Sequence, residues 1–298
     1  MRVIIPYDIK DTMLIASNVP EDDFPAWNAA TAYNSDTRVI RNHRVYRWIS
    51  ASTGKDPATD ATQTYWVDTG ATNRWRSFDS RLGSTTARAG TITYTIRLGR
   101  TQDSLAFFGL SAQRVTISAK MPTAALPFYS TTIGLAQRGD IINAWTYFFD
   151  EFAFKPDLVI TGLNLPSGVD VSITIDAGTG TAQVSEIIFG RNVKVGDTGE
   201  GTSLGIVDYS AKDRDEWGGV FIVPRPVTKT VDFKFAVALE NAAEVQQVME
   251  RASNKVCVFF SGEGKDLLGT TVLGIMRDYD LTLTHGFSAG SMSVESLA

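Results

Sequence analysis

Two groups of acidic residues carry the side chains that glycoside hydrolysis requires. Asp150 and Glu151 are adjacent and lie between aromatic residues, whereas Asp213, Asp215 and Glu216 cluster just before a tryptophan. Two carboxyl groups about 5 to 9 Å apart across a cleft can hydrolyse a glycosidic bond, and oxygen-rich loops also suit Ca²⁺. No spacing specifies either chemistry, and a strand end and a solvated loop are the simpler interpretations. A polysaccharide-degrading enzyme is therefore a secondary hypothesis.

Two glycine-rich segments resemble phosphate-binding loops only in part. The loop Gly262–Asp266 has Phe259 at the place of the first glycine and Asp266 where a phosphate-binding loop has Ser or Thr. The segment Gly199–Leu204 lacks the third glycine of a dinucleotide-binding motif and does not lead into a predicted helix. We therefore expect no nucleotide cofactor.

Histidine and cysteine are too scarce for a zinc site or a thiol nucleophile. The chain has two histidines, His43 and His285, and one cysteine, Cys257, which lies in the apolar run KVCVFF. A thiol in a buried strand is usually inert, and a single cysteine forms no internal disulfide. The sequence thus predicts no catalytic residue, no metal and no cofactor, and it is compatible with folding in a reducing cytoplasm.

Aromatic residues between Trp27 and Trp75 give a stronger functional signal. This segment holds four of the six tryptophans in the chain. Sugar rings have apolar faces that stack on flat aromatic rings, and the same rings also build most of the core in a domain of about 50 residues. Either role fits each ring. The candidate carbohydrate-binding residues are Trp27, Tyr33, Tyr46, Trp48 and Trp66.

Short β-strands are predicted to carry these aromatic residues. Apolar and polar residues alternate in Thr37–Ile40 and Arg44–Ile49, and Asn42 and His43 occupy the turn between them. A loop rich in Gly, Pro, Asp and Thr follows, and a third strand begins at Tyr65. We assign residues 1–23 to an N-terminal arm that docks on another surface and residues 24–80 to a small aromatic-rich β module.

The rest of the chain is predicted to form two larger units, so that the protein is mainly β and multidomain. Residues 84–205 contain seven strand-like runs with almost no helical periodicity, which indicates an antiparallel β-sandwich. Its last two runs are predicted to form a hairpin through the turn Ala177–Thr181. The glycine-rich segment GDTGEGTSLG marks a boundary before residues 206–298.

An α+β domain is predicted for residues 206–298. Val231, Phe233, Phe235 and Val237 alternate as one face of a strand, and a capping signal at Asn241 begins a helix. Four strands are predicted to follow in the runs KVCVFF, TVLGIMR, DYDLTLT and SMSVESL. One helix over an antiparallel sheet accounts for this order.

Composition excludes two classes of partner. The 298 residues carry a net charge of -5 without a concentrated basic stripe, so nucleic acid is not an expected partner. No run of 18 apolar residues occurs and the apolar opening is too short for a signal peptide, so we expect no membrane insertion.

The module resembles carbohydrate-binding modules of the chitinase type, families five and twelve. The resemblance covers roughly residues 25 to 70 and rests on these elements: Ala26-Trp27-Asn28, Ala32-Tyr33, Arg38-Val39, Val45-Tyr46, Gly54, Asp56-Pro57 and Tyr65-Trp66. It implies a three-stranded unit whose exposed aromatic rings bind chitin or related glycans, with Trp27, Tyr46 and Trp66 at motif positions. His43 and Arg44 stand where that family often has Asn-Gly.

Three further strings stand out along the chain: SNVPEDDFPAWN, TNRWRSFDSRLGSTT and GIVDYSAKDRDEWGGVFIVPRP. In these strings the wider chain is similar to tail proteins of tailed bacteriophages. This resemblance covers most of the chain. It implies a galactose-binding-like jelly roll in the middle and a ring-forming tail or baseplate domain at the end. The expected protein is a structural, non-enzymatic component of a virion tail tip or baseplate, assembled in the bacterial cytoplasm. The expected partners are other tail proteins, further copies of itself and host-surface glycan. A dedicated glycan-binding adhesin is the alternative.

Overall fold

Antiparallel β-sheets dominate the computed structural model, which describes residues 1–51, 53–137, 153–214, 216–262 and 269–297. The described strands form a ten-stranded, a five-stranded and a three-stranded sheet and two isolated strand pairs. The prediction of a mainly β, multidomain fold is confirmed. None of the described helices combines the length and the apolar character needed to cross a bilayer.

The aromatic module is a three-stranded sheet that follows two short strands from the chain's beginning. The first five strands are β1 (Arg2–Tyr7), β2 (Leu14–Ser17), β3 (Arg38–Arg41), β4 (Arg44–Trp48) and β5 (Trp66–Ala71). Strands β3, β4 and β5 pair in that order. Asn42 and His43 have φ values of 48° and 64°, as a tight hairpin turn between β3 and β4 requires. The predicted hairpin is confirmed.

The middle of the chain is a β-sandwich. Its strands are β6 (Thr86–Arg97), β7 (Ser104–Phe108), β8 (Arg114–Lys120), β9 (Tyr129–Gly134), β10 (Ala136–Gln137), β11 (Ala153–Phe154), β12 (Leu158–Ile160), β13 (Asp170–Val184) and β14 (Glu186–Lys194). The sheet β2-β6-β13-β8-β9 packs on the strands β12-β7-β14. Tyr94, Ile117 and Ile173 from the first sheet and Phe107 and Phe189 from the second are fully buried between them. The run AWTYFFDEF, predicted as a further strand, falls outside the described residues.

The hairpin predicted through Ala177–Thr181 is wrong. Strand β13 continues through this segment and pairs with β6 on both sides of an irregularity between Asp176 and Thr181. Gly178 and Gly90 face each other there with φ values of 65° and 79°, so glycine permits a bulge instead of a reversal. The chain changes sheets only at Ser185, before β14 pairs with β7.

The final unit is an antiparallel sheet with one described α-helix. Its elements are β15 (Asp197–Thr198), β16 (Ser203–Asp208), β17 (Ala211–Arg214), β18 (Val220–Val223), β19 (Val227–Ala238), α1 (Ala242–Ala252), β20 (Cys257–Phe260), β21 (Val272–Thr282) and β22 (Phe287–Ser296). Val245, Val248 and Met249 of α1 pack on the sheet, as the helical spacing predicted. Asn241 precedes the helix but makes no side-chain capping bond. The runs TVLGIMR and DYDLTLT belong to the single strand β21, which a bulge divides near Asp278.

The glycine-rich segment predicted as a boundary is part of the sheet. Strands β15 and β16 both pair with β19. A Cβ atom at Gly196 would overlap the carbonyl oxygen of Ala236, and one at Gly205 would overlap the side chain of Thr230. These two glycines therefore allow neighbouring strands to approach closely. Packing in the sheet thus requires them, although glycine in a sequence also favours loops.

Strand β1 joins the sandwich to the final unit. All six of its residues pair with β14, and Arg2, Val3 and Ile4 also pair with β20. Val3 enters the core beneath α1, whereas Ile4 enters the core between β7, β14, β20 and β21, and both are fully buried. The segment predicted as an arm for another surface thus docks within its own chain, and one sheet of ten strands spans both units.

Glu186, the first residue of β14, is a buried carboxyl group. The side chain is 3% exposed, Oε1 accepts a hydrogen bond from the Ser80 amide at 3.2 Å, and Oε2 has no partner among the described residues. Burial, reinforced by the Asp79 carboxylate, raises the pKa of Glu186 from 4.5 to about 9. The group is therefore protonated at neutral pH.

We expect Ile4→Ala to destabilise the protein by about 2 to 5 kcal/mol, since it leaves a cavity where β1 fills a core between two units. Urea unfolding followed by circular dichroism would measure this loss. Ile15→Ala is the control, because Ile15 on β2 is 48% exposed. Equal losses in the two variants would contradict the central role of β1.

Glu186→Gln is expected to stabilise the protein increasingly as the pH rises. The folded state keeps the proton up to about pH 9, whereas the unfolded chain releases it near 4.5, so this group lowers stability progressively between those values. The Gln variant lacks this loss, which is on the order of a few kcal/mol at pH 8. Urea midpoints of both proteins at pH 5 and pH 8.5 would test the trend. A difference between the two midpoints that is the same at both pH values would refute it.

Candidate functional site

The core of the aromatic module consists of Val39, Tyr46 and Trp66. Trp66 is 1% exposed and Tyr46 is 8% exposed. Both rings are needed inside, because a three-stranded sheet of this size has few other apolar side chains to bury. Of the five candidate residues, Tyr46 and Trp66 therefore lie in the core of the module.

Three half-buried aromatic rings pack against this core and are named here the Trp66 rim: Tyr33, Trp48 and Tyr65. The Tyr33 ring meets Trp66 edge to face, with ring centroids 5.1 Å apart. Trp48 is the cross-strand partner of Trp66 in the β4–β5 pair, and Tyr65 precedes Trp66 in the chain. All three pack partly against the module core and are partly accessible to solvent.

The loop before β5 fixes the rim in place. The Asp60 carboxylate accepts hydrogen bonds from the amides of Tyr65 at 2.7 Å and Trp66 at 2.9 Å. The indole N–H of Trp66 donates to the Lys55 carbonyl oxygen at 3.0 Å, and the Lys55 ammonium lies 5.3 Å from the Tyr65 ring centroid. These hydrogen bonds tie the loop to Tyr65 and to the buried Trp66.

Trp27 is half-buried but less open to a ligand than the rim. The Arg41 guanidinium lies over its ring, 5.1 Å from the centroid, and pairs with Asp56 at 2.8 Å. The Trp27 amide donates to the Ile40 carbonyl oxygen, which attaches this segment to the edge of β3. The guanidinium thus covers one face of this ring, where a sugar would otherwise stack.

Trp48 offers carbon surface to solvent. Its indole nitrogen is buried and has no hydrogen-bond partner among the described residues. The accessible part of the side chain is therefore apolar, and Ile49 beside it is 44% exposed. This surface suits the apolar face of a sugar ring better than it suits a polar group.

Tyr65 was absent from the sequence-based candidates. The available signal was its position immediately before Trp66 and β5. Tyr65 is half-buried and packs against the module core.

His43 fixes the module to the body of the protein. Its Nδ1 lies 2.8 Å from Glu21 Oε1, its Nε2 lies 3.2 Å from Asp11, and its ring lies 4.9 Å from the Trp75 ring. Glu21 also accepts a hydrogen bond from the Thr72 hydroxyl at 2.8 Å. His43 thus joins the module to segments on both sides of it, and the rim is presented on a fixed support.

The acidic groups do not assemble a second site within the described chain. Asp213 and Glu216 are exposed on or next to β17, whereas Asp150, Glu151 and Asp215 lie outside the described residues. In the described ranges no group of three His, Cys, Asp or Glu residues is placed to hold a metal ion. Burial raises the pKa of the Cys257 thiol to about 12, which makes it unreactive.

Comparison with known proteins gives weak structural likenesses. No family model and no curated protein matches the chain. Chitosan-binding module 1 of a chitosanase/glucanase from Paenibacillus sp. IK-5 shares 14% identity at a TM-score of 0.26, over 39% of this chain and 83% of that module. An F5/8 type C domain from Bacteroides fragilis shares 12% identity at a TM-score of 0.28, over 52% of this chain and 95% of that domain. Similarity at this level assigns neither a family nor a ligand.

Asp60→Ala is expected to loosen the Trp66 rim. Burial raises the pKa of Asp60, but hydrogen bonds from the amides of Tyr65 and Trp66 outweigh it and hold the pKa below its usual range. The stabilisation that these hydrogen bonds to the ionised carboxylate give the folded protein is therefore present at neutral pH, and it is lost as the pH falls below about 4. Near-ultraviolet circular dichroism at pH 7 would detect the loosening of the aromatic rings in the variant. The free energy of unfolding should fall by on the order of 1 kcal/mol. The spectrum of Asp60→Asn, which keeps one acceptor, should lie between those of Asp60→Ala and the original protein. An unchanged spectrum in Asp60→Ala would contradict the assignment.

Proposed function

We propose that the module binds polysaccharide through the Trp66 rim. The observation that carries this proposal is that Tyr33, Trp48 and Tyr65 are half-buried and pack against the small core that contains Trp66. A ring that is half-buried loses little conformational freedom on binding, because the fold already holds it. The rim therefore offers an ordered apolar surface to the faces of sugar rings.

The polar groups near the rim favour neutral or acidic sugars. Lys55 is exposed above Tyr65 and can donate hydrogen bonds to hydroxyl or carboxylate groups. A cationic polysaccharide would meet repulsion from this ammonium group. We infer that acetylated or acidic chains bind more tightly than their amino-sugar counterparts.

The setting proposed for this binding is a structural, non-enzymatic protein of a bacteriophage tail tip or baseplate. This part rests on the sequence resemblance alone. The attachment through His43 and Glu21 fits a role in which a body displays the rim in a fixed direction. Tails assembled without the protein should fail to form or to attach to cells, and normal tails that infect normally would contradict this role.

Trp48→Ala is expected to weaken polysaccharide binding at least tenfold, because it removes the exposed apolar surface that Trp48 contributes to the rim. Binding would be measured by affinity electrophoresis in gels containing soluble chitin derivatives or host envelope polysaccharide. Tyr65→Ala should weaken binding in the same way.

Trp27→Ala is the matched control, since it removes a half-buried tryptophan of the same module that Arg41 covers. It should leave the affinity nearly unchanged, provided that circular dichroism shows a folded module. Equal losses from Trp27→Ala and Trp48→Ala, or no binding by the original protein to any glycan tested, would overturn the proposal.

A further inference from the structure

A small cavity lies where the end of β1, the loop after the aromatic module and strand β14 meet. Its volume is about 30 Å³, and it is named here the Glu186 cavity. Much of its lining is apolar and comes from different parts of the chain, with Phe78, Ile188 and Leu273 among the contributors. The exposed residue Asp8 also belongs to the lining, so the cavity reaches the surface. A space of this size holds one group about as large as a water molecule or an ammonium group.

Glu186 presents an unpaired oxygen atom in this lining. Its side chain is 3% exposed, and its Oε1 accepts a hydrogen bond from the Ser80 amide at 3.2 Å. Ser80 holds the left-handed backbone conformation, with φ at 59°, which is uncommon for a residue other than glycine. The second oxygen, Oε2, has no hydrogen-bond partner among the described residues. A buried polar atom without a partner is costly, so this oxygen is suited to a ligand.

The neighbouring carboxylate of Asp79 is already hydrogen-bonded. It accepts from the Arg81 amide at 3.0 Å and from the Ser84 hydroxyl at 2.7 Å. Burial raises the pKa of Asp79, although these hydrogen bonds and the charges of Arg81 and Arg44 partly offset the effect. For Glu186, burial and the charge of Asp79 raise the pKa to about 9, and no cation in the described chain opposes them. The cavity therefore lacks a positive charge of its own.

We propose that the Glu186 cavity binds the ammonium group of a primary alkylamine through Glu186 Oε2. An ammonium group has three hydrogen-bond donors and no acceptor, which suits a carboxylate oxygen without a donor. Its size matches the cavity, whereas a guanidinium group is too large, and its alkyl stem would lie against the apolar lining. Anionic ligands would be repelled by Asp8 and Asp79. A free amine and the side chain of a partner protein's lysine both present this group.

Binding is expected to release one proton at neutral pH. Glu186 gives its proton to solvent, and the ammonium group, which keeps its charge, donates hydrogen bonds to the carboxylate that forms. The affinity should therefore rise about tenfold per pH unit from pH 6 to pH 8 and level off near pH 9. The other titratable groups at the cavity are Tyr7 and Asp8 after β1 and Asp79 beside Glu186, whereas Val256 and Leu273 line the opposite side without charge. The site is separate from the Trp66 rim, so the inference does not depend on glycan binding.

Titration with n-butylamine tests the site directly. The methyl resonances of Ile188 and Leu273 should shift on binding, because both residues line the cavity. Calorimetry at pH 7 in buffers of different ionisation enthalpy should count one proton released per amine bound. Glu186→Gln should weaken binding at least tenfold and remove both the proton release and the pH dependence. Asp213→Asn is the control, since it removes an exposed carboxylate of β17 that does not line the cavity, and it should bind as the original protein does.

Two analogues of n-butylamine separate the ammonium group from the rest of the ligand. Butyramide keeps the stem without the charge, and n-butyltrimethylammonium keeps the charge without the donors and exceeds the space, so neither should bind. Equal binding of either analogue would overturn the proposal. So would unchanged affinity in Glu186→Gln, or no methyl shift with amine up to about 100 mM, which would indicate that the cavity holds water only. Binding of Nα-acetyl-lysine methylamide as well would support a partner's lysine as the natural ligand, whereas binding of n-butylamine alone would support a free amine.

Discussion

The insertion of β1 between β14 and β20 is the constraint on which the rest of the structure depends. Without it, the sandwich and the final unit would each end in an unpaired strand edge, which is a site for unwanted pairing. Val3 and Ile4 point to opposite faces of β1 and enter different cores. One short strand therefore completes two hydrophobic cores and joins them in a single sheet. Burial at this point couples the stability of one unit to the packing of the other.

Local features of the fold were predictable, because they depend on neighbouring residues. The turn at Asn42 and His43 and the helix after Asn241 follow from turn preference and from helical spacing. The long-range pairing of β1 was not predictable, since an apolar strand at the beginning of a chain carries no signal for its partners. The bulge in β13 was also missed, because Gly178 permits both a reversal and a bulge and only the pairing with β6 decides between them.

The aromatic site was predictable as a cluster but not in its internal arrangement. Trp66 and Trp48 are the same residue type and face each other across one strand pair, yet the first is the core and the second is its border. The difference comes from position: Trp66 packs with Val39 and Tyr46 and donates its indole N–H to the Lys55 carbonyl oxygen, whereas Trp48 lies at the edge of this core. Arg41 likewise covers Trp27 for a reason outside the local pattern, namely its ion pair with Asp56. Residue type thus predicts that rings assemble, whereas the surrounding contacts determine which of them stay open.

The aromatic module is held to the body of the protein on two sides. Asn73 forms two hydrogen bonds with Ala87 of β6, a strand of the five-stranded sheet. His43 and Thr72 both contact the carboxylate of Glu21, which lies in the segment before the module. The five-stranded sheet in turn packs on β14, which pairs with β1. The support of the Trp66 rim is therefore connected through the core of the sandwich to the strand that joins the two units.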